Sequence, residues 1–216
     1  MSAGDDRSVA CGSCSLGAAC LGHACVFTRA IRPQGETLFR QGDTPDAVHF
    51  LRRGRVLLTE IDGEGRVVDQ LLRPAGSLLE SLALSRRPHR RTAIAVDEVE
   101  VCTLALASLE GWLGPARSPA RALLELCLRE TAQAGADRGR TRGPAAARVA
   151  AFLLEHGDDS APLQLQLQLV AGLLSMRPET LSRVLARFRE AGAIAGRGSL
   201  RILDRSRLEE AAGSDR

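Results

Sequence analysis

The sequence lacks the features of membrane-spanning and secreted chains. No window approaches the roughly 18 uninterrupted apolar residues that a spanning helix needs. The N-terminus, Met-Ser-Ala-Gly-Asp-Asp-Arg, is acidic and leads into a Cys- and Gly-rich stretch, so it does not have the layout of a secretory signal. We therefore expect a cytoplasmic protein that has no membrane partner.

Arrangements of catalytic side chains are also lacking. We find no nucleophile paired with a base, no phosphate-binding loop and no carboxylate pair. The four histidines show no zinc-ligand spacing with one another. The pair Cys11 and Cys14 has the spacing of thiol oxidoreductases, but the βαβ context that such a motif needs is missing. We expect that the protein is not an enzyme.

Length and composition indicate an ordinary globular protein. The chain has 216 residues, of which 44% are hydrophobic and 25% charged, and this length favours two domains. The net charge of +3 is a mild basic excess that neither requires nor forbids a polyanionic partner.

The first half of the chain has the pattern of a β-roll. Residues 30–107 contain short extended runs separated by turn signals every 8 to 12 residues or so, which is typical of an all-β sandwich or barrel. From Ser108 the composition becomes Leu- and Ala-rich, and the pattern of residues 121–134 predicts one helix. Its apolar stripe can pair with a copy of itself and consists of Leu123, Leu124, Cys127, Leu128 and Thr131.

The last part of the chain, residues 143–216, contains two short helical patterns joined by a turn near Ser175. Pro178 stands where the first turn of the second helix tolerates proline. One side of this helix is apolar and must be buried, namely Leu181, Val184, Leu185 and Phe188. The opposite side carries types that can contact base edges or phosphates, namely Glu179, Ser182, Arg183 and Arg187.

A tight basic hairpin follows the second helix. It has the sequence Gly196-Arg197-Gly198-Ser199 between short apolar runs, which is typical of a wing that contacts the phosphate backbone. We infer a DNA-binding module in which Arg197 also contacts DNA. The alternative is an amphipathic surface helix with a solvated charged face.

These residues resemble the CRP/FNR family of regulators, in its FNR-like branch. The resemblance is carried by residues 177–192, by Gly35-Glu-Thr-Leu-Phe-Arg-Gln-Gly-Asp43 and by the turn at Arg52–Gly54. It implies an α+β fold with a cupin-like β-roll of the cyclic-nucleotide-binding type, a long dimerisation helix and a C-terminal winged helix-turn-helix. The corresponding ranges are 1–29 for a Cys-rich segment, 30–107 for the roll, 108–142 for the dimerisation helix and hinge, and 143–216 for the DNA-binding domain.

The same resemblance implies a function. A homodimer would regulate transcription together with RNA polymerase, by binding double-stranded palindromic DNA with TTGAT-like half-sites. Glu179, Ser182 and Arg183 would read the bases.

Cysteines are crowded at the N-terminus, where four of the six lie within residues 11–25. In a reducing compartment such crowding favours metal ligands or redox-active thiols, and spacing alone cannot choose between zinc and an iron–sulfur cluster. Proteins of the FNR branch share this C-x2-C-x5-C arrangement and take a fourth cysteine from a strand ahead of the dimerisation helix. The resemblance therefore implies a [4Fe-4S] cluster that senses oxygen, nitric oxide or redox state, held by Cys11, Cys14, Cys20 and Cys102, with Cys25 as the alternate to Cys20.

Other interpretations of the sensor stay open. By itself Cys102 reads as a buried small hydrophobe, and we interpret Cys127 as core packing. A zinc ion or a thiol–disulfide switch on the same cysteines would also control DNA binding. Glu80 and Arg91-Thr92 resemble a cyclic-nucleotide site, yet Leu79 stands where the close-approach glycine belongs, so we expect no cyclic nucleotide. A cyclic-nucleotide module without DNA recognition is the alternative from another class.

Overall fold

The computed structural model describes residues 27–112, 123–124, 127–132, 143–157, 163 and 166–213. The chain divides into two compact units, Met1–Ala134 and Gly135–Arg216, and each is described by itself. Within the described residues, no helix combines the length and the hydropathy needed to cross a bilayer. The domain boundaries given above remain predictions.

The first unit is a roll made of two four-stranded antiparallel sheets. The first sheet has the strand order β1-β8-β3-β6, and the second has the order β2-β7-β4-β5. The strands are β1 Thr28–Arg32, β2 Thr37–Phe39, β3 Ala47–Arg53, β4 Arg55–Ile61, β5 Val67–Pro74, β6 Leu78–Leu79, β7 Thr92–Ala95 and β8 Val99–Ala105. The predicted β-roll is confirmed, while the short strands β1 and β6 were not predicted because neither has a run of alternating residues.

Strand β8 is buried on both of its faces. Val99 and Val101 belong to the cluster between the two sheets, together with Leu51 of β3 and Val56 of β4. Because side chains alternate along a strand, Cys102 lies on the other face, away from the roll interior. The centre of the first sheet therefore supports two separate hydrophobic clusters.

The second cluster, which we call the outer cluster, lies on the face of the first sheet that points away from the second. Helix α1, Leu106–Trp112, and a 3-10 turn at Ser81–Ser85 cover this face. The helical residues 123–124 and 127–132, which we call the connecting helix, pack against it through Leu123 and Cys127. Its buried members are Phe27, Val48, Phe50, Leu78, Ala83, Cys102, Leu104 and Leu106.

The second unit contains four helices and a short hairpin among its described residues. The elements are α2 Ala145–His156, α3 Leu167–Leu173, α4 Pro178–Glu190, β9 Ile194–Ala195, β10 Arg201–Ile202 and α5 Arg205–Gly213. Leu163 forms an isolated bridge with Leu200, whereas α3 already begins at Leu167. The strict Leu-Gln alternation of residues 163–169 is a strand pattern, yet its last residues form the first turn of α3.

The turn between β3 and β4 requires a glycine. Gly54 has φ +84°, a conformation that residues with a Cβ rarely adopt. A Cβ there would lie 2.6 Å from the carbonyl oxygen of Glu98 and 2.7 Å from Oδ1 of Asp97. Asp97 is held in this position because it accepts a hydrogen bond of 2.7 Å from the backbone N–H of Arg55.

We expect Gly54→Ala to lower the free energy of unfolding of the roll by about 2 kcal/mol, because it adds both backbone strain and a collision with backbone oxygen. Gly63 is the matched control, since it lies in the next hairpin with open space around it and no positive φ. Gly63→Ala should change the unfolding free energy by less than about 0.5 kcal/mol. Thermal and urea denaturation measure both variants, and equal stability of the two would contradict this account of the turn.

Candidate DNA-binding site and sensor residues

Helix α4 presents a buried face and a polar face. Leu181, Val184, Leu185 and Phe188 are buried, and α2 and α3 pack against the helix. Pro178 occupies its first turn, and the backbone N–H of Ala191 bonds to the carbonyl of Arg187 where the helix ends. The polar face therefore has a fixed orientation on the unit.

All four residues predicted for the polar face of α4 are exposed: Glu179, Ser182, Arg183 and Arg187. Their exposure is the arrangement that the helical periodicity predicts. Their contacts with bases and phosphates remain a prediction. Glu179 also lies in the first turn, where a negative charge suits the positive end of the helix dipole.

The tight turn between α3 and α4 is closed by backbone hydrogen bonds. Ser175 has φ 48°, a left-handed conformation, and its N–H bonds to the carbonyl of Gly172 at 3.0 Å. Leu174 is fully buried beside it. This packing joins the two helices of the motif as the sequence predicts.

The basic turn at 196–199 links β9 to β10. Gly196 has φ +89°, and a Cβ at this position would collide with the carbonyl of Ser199. Arg197 and Gly198 are exposed, and Gly198 has nothing within 4 Å of the place where a Cβ would stand. The turn therefore holds the guanidinium-bearing residue at the surface, and only one of its glycines is required by geometry.

Cys102 lies at the centre of the outer cluster. Its residue is 5% exposed, and its register partners are Arg29 of β1 and Phe50 of β3. Phe27, which belongs to the same cluster, follows Cys25 by two residues in the sequence. Cys11, Cys14, Cys20 and Cys25 lie outside the described residues. Within the described residues, no three His, Cys, Asp or Glu side chains are grouped as a metal site.

Cys127 packs against the outer cluster from the connecting helix, as the interpretation of this residue as core packing requires. Burial raises the pKa of the Cys127 thiol, and the negative charge of Glu130 raises it further. A protonated thiol is a poor nucleophile and a poor metal ligand. Cys127 is therefore a useful comparison for Cys102.

Inside the roll, Glu80 is surrounded by groups of its own chain. Glu80 is 2% exposed and has φ 52°, and its Oε2 lies 3.0 Å from Nδ1 of His89. The same oxygen accepts a hydrogen bond of 3.1 Å from the backbone N–H of Arg90. Burial raises the pKa of Glu80, although the hydrogen bond from His89 partly opposes this shift.

The neighbouring Arg91 is also engaged. Its Nη2 lies 2.7 Å from Oδ2 of Asp69, and its Nη1 lies 3.8 Å from Oε1 of Glu80. The acid and the guanidinium that resemble a nucleotide site thus have partners inside the protein.

Two histidine rings flank the side chain of Phe39 in the same interior. The ring of His89 is stacked 3.9 Å from that of Phe39, and the ring of His49 is stacked at 5.5 Å. Burial lowers the pKa of His49 to about 4, with a further contribution from His89, so His49 is neutral near pH 7. The sequence offered no signal for this stack, because its members are distant along the chain.

Two further contacts were missed by the sequence reasoning. Nε of Arg189 donates a hydrogen bond of 2.6 Å to the carbonyl of Gly196. The backbone N–H of Ser81 donates a hydrogen bond of 2.9 Å to Oε2 of Glu130 on the connecting helix. Both join positions whose pairing depends on tertiary structure.

Comparisons with known proteins agree with this architecture. Residues 32–113 match the cyclic nucleotide-binding domain family, and residues 147–211 match the Crp-like helix-turn-helix domain family. The nitrogen fixation regulation protein FixK of Bradyrhizobium diazoefficiens is 31% identical over 194 residues, which cover 83% of this chain and 80% of FixK. The cyclic AMP receptor protein of Thermus thermophilus is 28% identical, over 86% of this chain and 88% of that protein.

The fold also matches those of solved structures. The structure of FixK2 from Bradyrhizobium japonicum matches with a TM-score of 0.71 at 23% identity, covering 87% of this chain and 98% of that one. At this identity the match concerns the fold alone.

The roll, the helix-turn-helix and the likeness to FixK define a DNA-binding transcriptional regulator. The chain belongs to the CRP/FNR family of DNA-binding transcriptional regulators. The α+β fold class, with its β-roll and its C-terminal helix-turn-helix, is confirmed.

We expect Gly196→Ala to weaken DNA binding about tenfold, because the distorted turn displaces Arg197 and one charge-assisted contact is worth ~1.4 kcal/mol or more. Gly198→Ala, in the same turn, should leave the affinity within about twofold, since its position has open space. Fluorescence anisotropy with a labelled duplex measures both variants. Equal affinities would show that the conformation of this turn does not matter for binding.

Proposed function

We propose that the protein is a homodimeric transcriptional regulator whose DNA binding is controlled by a [4Fe-4S] cluster held by Cys11, Cys14, Cys20 and Cys102. Cys25 is the alternate to Cys20. The signal is oxygen, nitric oxide or the redox state of the cell. The observation that carries the proposal is the place of Cys102, in a packed cluster that also contains Phe27 and contacts the connecting helix.

The donor set suits such a group. Thiolates are the ligands of iron–sulfur clusters, and three of the four cysteines have the spacing shared with the FNR branch. Cys102 lies on the outer face of its strand, beside the residue at which the cysteine-rich segment enters the roll. The buried position of Cys102 also limits access of water, which matters for the lifetime of a cluster.

When bound, the cluster supplies a group that oxygen or nitric oxide can convert or destroy. The residues of the chain would link this chemistry to the dimer. With a cluster bound, Cys102 would tether the N-terminal cysteines to β8, while Leu123 and Cys127 pack on the same outer cluster. Release of that segment therefore changes the surface on which the connecting helix rests.

A second copy is the proposed partner of the connecting helix. Leu124 and Leu128 are each 59% exposed, and residues four apart on a helix lie on one side. Covering these leucines by the same pair of a second copy removes apolar surface from water. A dimer then engages two half-sites at once, which raises its affinity through effective concentration. RNA polymerase is the further partner that we propose.

Cyclic-nucleotide control is the less favoured alternative, although a relative bears the name cyclic AMP receptor protein. In a nucleotide site, an acid takes the ribose hydroxyl and a guanidinium takes the phosphate. Here Glu80 bonds to His89, and Arg91 is engaged by Asp69. Leu79 is fully buried where a glycine would allow close approach of the phosphate. These contacts support our proposal that no cyclic nucleotide binds.

Anaerobic purification followed by iron and sulfide assays tests the cluster. We expect about four iron and four sulfide per chain in the wild type, and a large loss of both in Cys102→Ala because one of four thiolates is removed. Cys127→Ala is the matched control, since it removes a thiol that packs on the same cluster of side chains. That variant should keep its iron and sulfide.

Other outcomes of the metal assay are equally clear. Wild-type protein that lacks both elements would refute the cluster, and zinc without sulfide would establish the zinc alternative. Equal loss in both variants would show that the packing of the outer cluster matters and that Cys102 is not a ligand.

A palindrome of two TTGAT half-sites tests base reading. We expect Arg183→Ala to weaken binding by about 1–3 kcal/mol and to abolish the preference for guanine in the half-site, since a bidentate guanidinium contact specifies that base. Arg187→Ala should weaken binding to all duplexes equally, because Arg187 is not among the three residues that the resemblance assigns to bases and we propose that it contacts a phosphate. A mobility shift with matched and guanine-substituted duplexes measures both. Preserved guanine preference in Arg183→Ala would sink this assignment.

A further inference from the structure

Arg189, near the C-terminal end of α4, connects this helix to the basic turn. Its Nε donates a hydrogen bond of 2.6 Å to the carbonyl oxygen of Gly196. Gly196 immediately precedes Arg197. It has a positive φ, and a Cβ at this position would meet the carbonyl of Ser199. The acceptor of Arg189 therefore lies at the base of the turn.

The two legs of the turn are held differently. The leg at Leu200 is bonded to Leu163 by two backbone hydrogen bonds, of 2.6 and 3.0 Å. The leg at Gly196 continues β9, which within the described residues pairs only with β10, through two residues on each strand. The backbone of Ala193, just ahead of β9, is bonded to Phe188 of α4 and to Leu203 and Asp204. The hydrogen bond from Arg189 adds a side-chain anchor three residues further along, on Gly196 at the base of the turn.

Arg187 and Arg189 have different surroundings although they are close in sequence. An α-helix advances roughly 100° per residue, so residues two apart are separated by about 160° around the axis. Arg187 is exposed, whereas Arg189 is half-buried and bonded to the turn. Arg187 is therefore accessible from the solvent, whereas Arg189 bonds within the unit.

We propose that Arg189 is a positioning residue for DNA binding. It fixes the turn at 196–199 against α4. Arg197 then meets the DNA phosphate backbone while α4 lies in the major groove. A turn that is ordered before binding avoids the entropy cost of ordering it in the complex. The inference rests on the proposed phosphate contact of Arg197, and its first test does not involve DNA.

The first test is hydrogen exchange on the full-length protein without DNA. Arg189→Met keeps an unbranched side chain out to the position of Nε and removes the N–H donor together with the charged end of the guanidinium. We expect exchange of the amides of residues 196–200 to accelerate about tenfold or more, while the amides of α4 keep their protection. Arg187→Met, two residues away, should leave the exchange of the turn unchanged. Unchanged exchange in Arg189→Met would overturn the proposal whatever happens with DNA.

The second test is a double-mutant cycle on DNA affinity, which couples Arg189→Met to Arg197→Ala. Arg197→Ala should weaken binding about tenfold and reduce the slope of log K against log salt by about 0.9, the value for one phosphate contact. Arg189→Met should reproduce most of this loss. The double variant should be within about twofold of Arg197→Ala, because the two residues then serve a single contact.

Three outcomes of the cycle would overturn the proposal. If the two losses multiply and the salt slope falls by about twice as much, Arg189 contacts a phosphate itself. If Arg189→Met binds like the wild type, the anchor has no role in binding. If Arg197→Ala binds like the wild type, the proposed phosphate contact fails, and the exchange result then separates this failure from that of the anchor. Arg187→Met combined with Arg197→Ala is the control, and its losses should multiply.

Discussion

Burial of strand β8 on both faces is the constraint on which the first unit depends. Its inward side chains, Val99 and Val101, close the interior of the roll. Its outward side chains, Cys102 and Leu104, form the surface that α1 and the connecting helix cover. Because the side-chain period of a strand is two, a slip of one residue would exchange these sets and bring Cys102 inside the roll. Register with β1 and β3 therefore decides which compartment contains the thiol.

The interior of the roll has a different character from its outer face. Glu80, His89 and Phe39 form a polar and aromatic arrangement whose members bond to or stack on one another. A buried carboxylate requires such partners because its desolvation is otherwise costly. Glu80 is linked to the surroundings of the connecting helix through its neighbour Ser81, which bonds to Glu130. The connecting helix therefore contacts two environments. One is the outer cluster, and the other is the group around Glu80, which it reaches through the hydrogen bond between Ser81 and Glu130.

Sequence patterns predicted the elements whose signals are local. The period of two indicated the roll, and the amphipathic pattern of α4 indicated which residues are buried and which are exposed. Pro178 also marked the first turn of α4. The resemblance singled out Cys102, which the pattern alone describes as an ordinary core residue.

Long-range contacts could not be predicted in this way. The pairing of Glu80 with His89, the stack on Phe39 and the bond from Arg189 to Gly196 depend on how distant elements meet. Helical periodicity does place Arg187 and Arg189 on different sides of α4, but it does not show what Arg189 contacts. The acceptor of Arg189 is supplied by the basic turn, whose position depends on tertiary structure.

The connecting helix has two apolar edges that lie side by side. Leu123 and Cys127 rest on the roll, whereas Leu124 and Leu128, one position further along, are open to solvent. Adjacent positions on an α-helix are separated by roughly 100° around its axis, so the two edges face different directions. Any repacking beneath Cys127 that rotates the connecting helix about its axis must turn Leu124 and Leu128 through the same angle. Rotation of the helix about its axis would then transmit a change in side-chain volume at the sheet to the molecular surface.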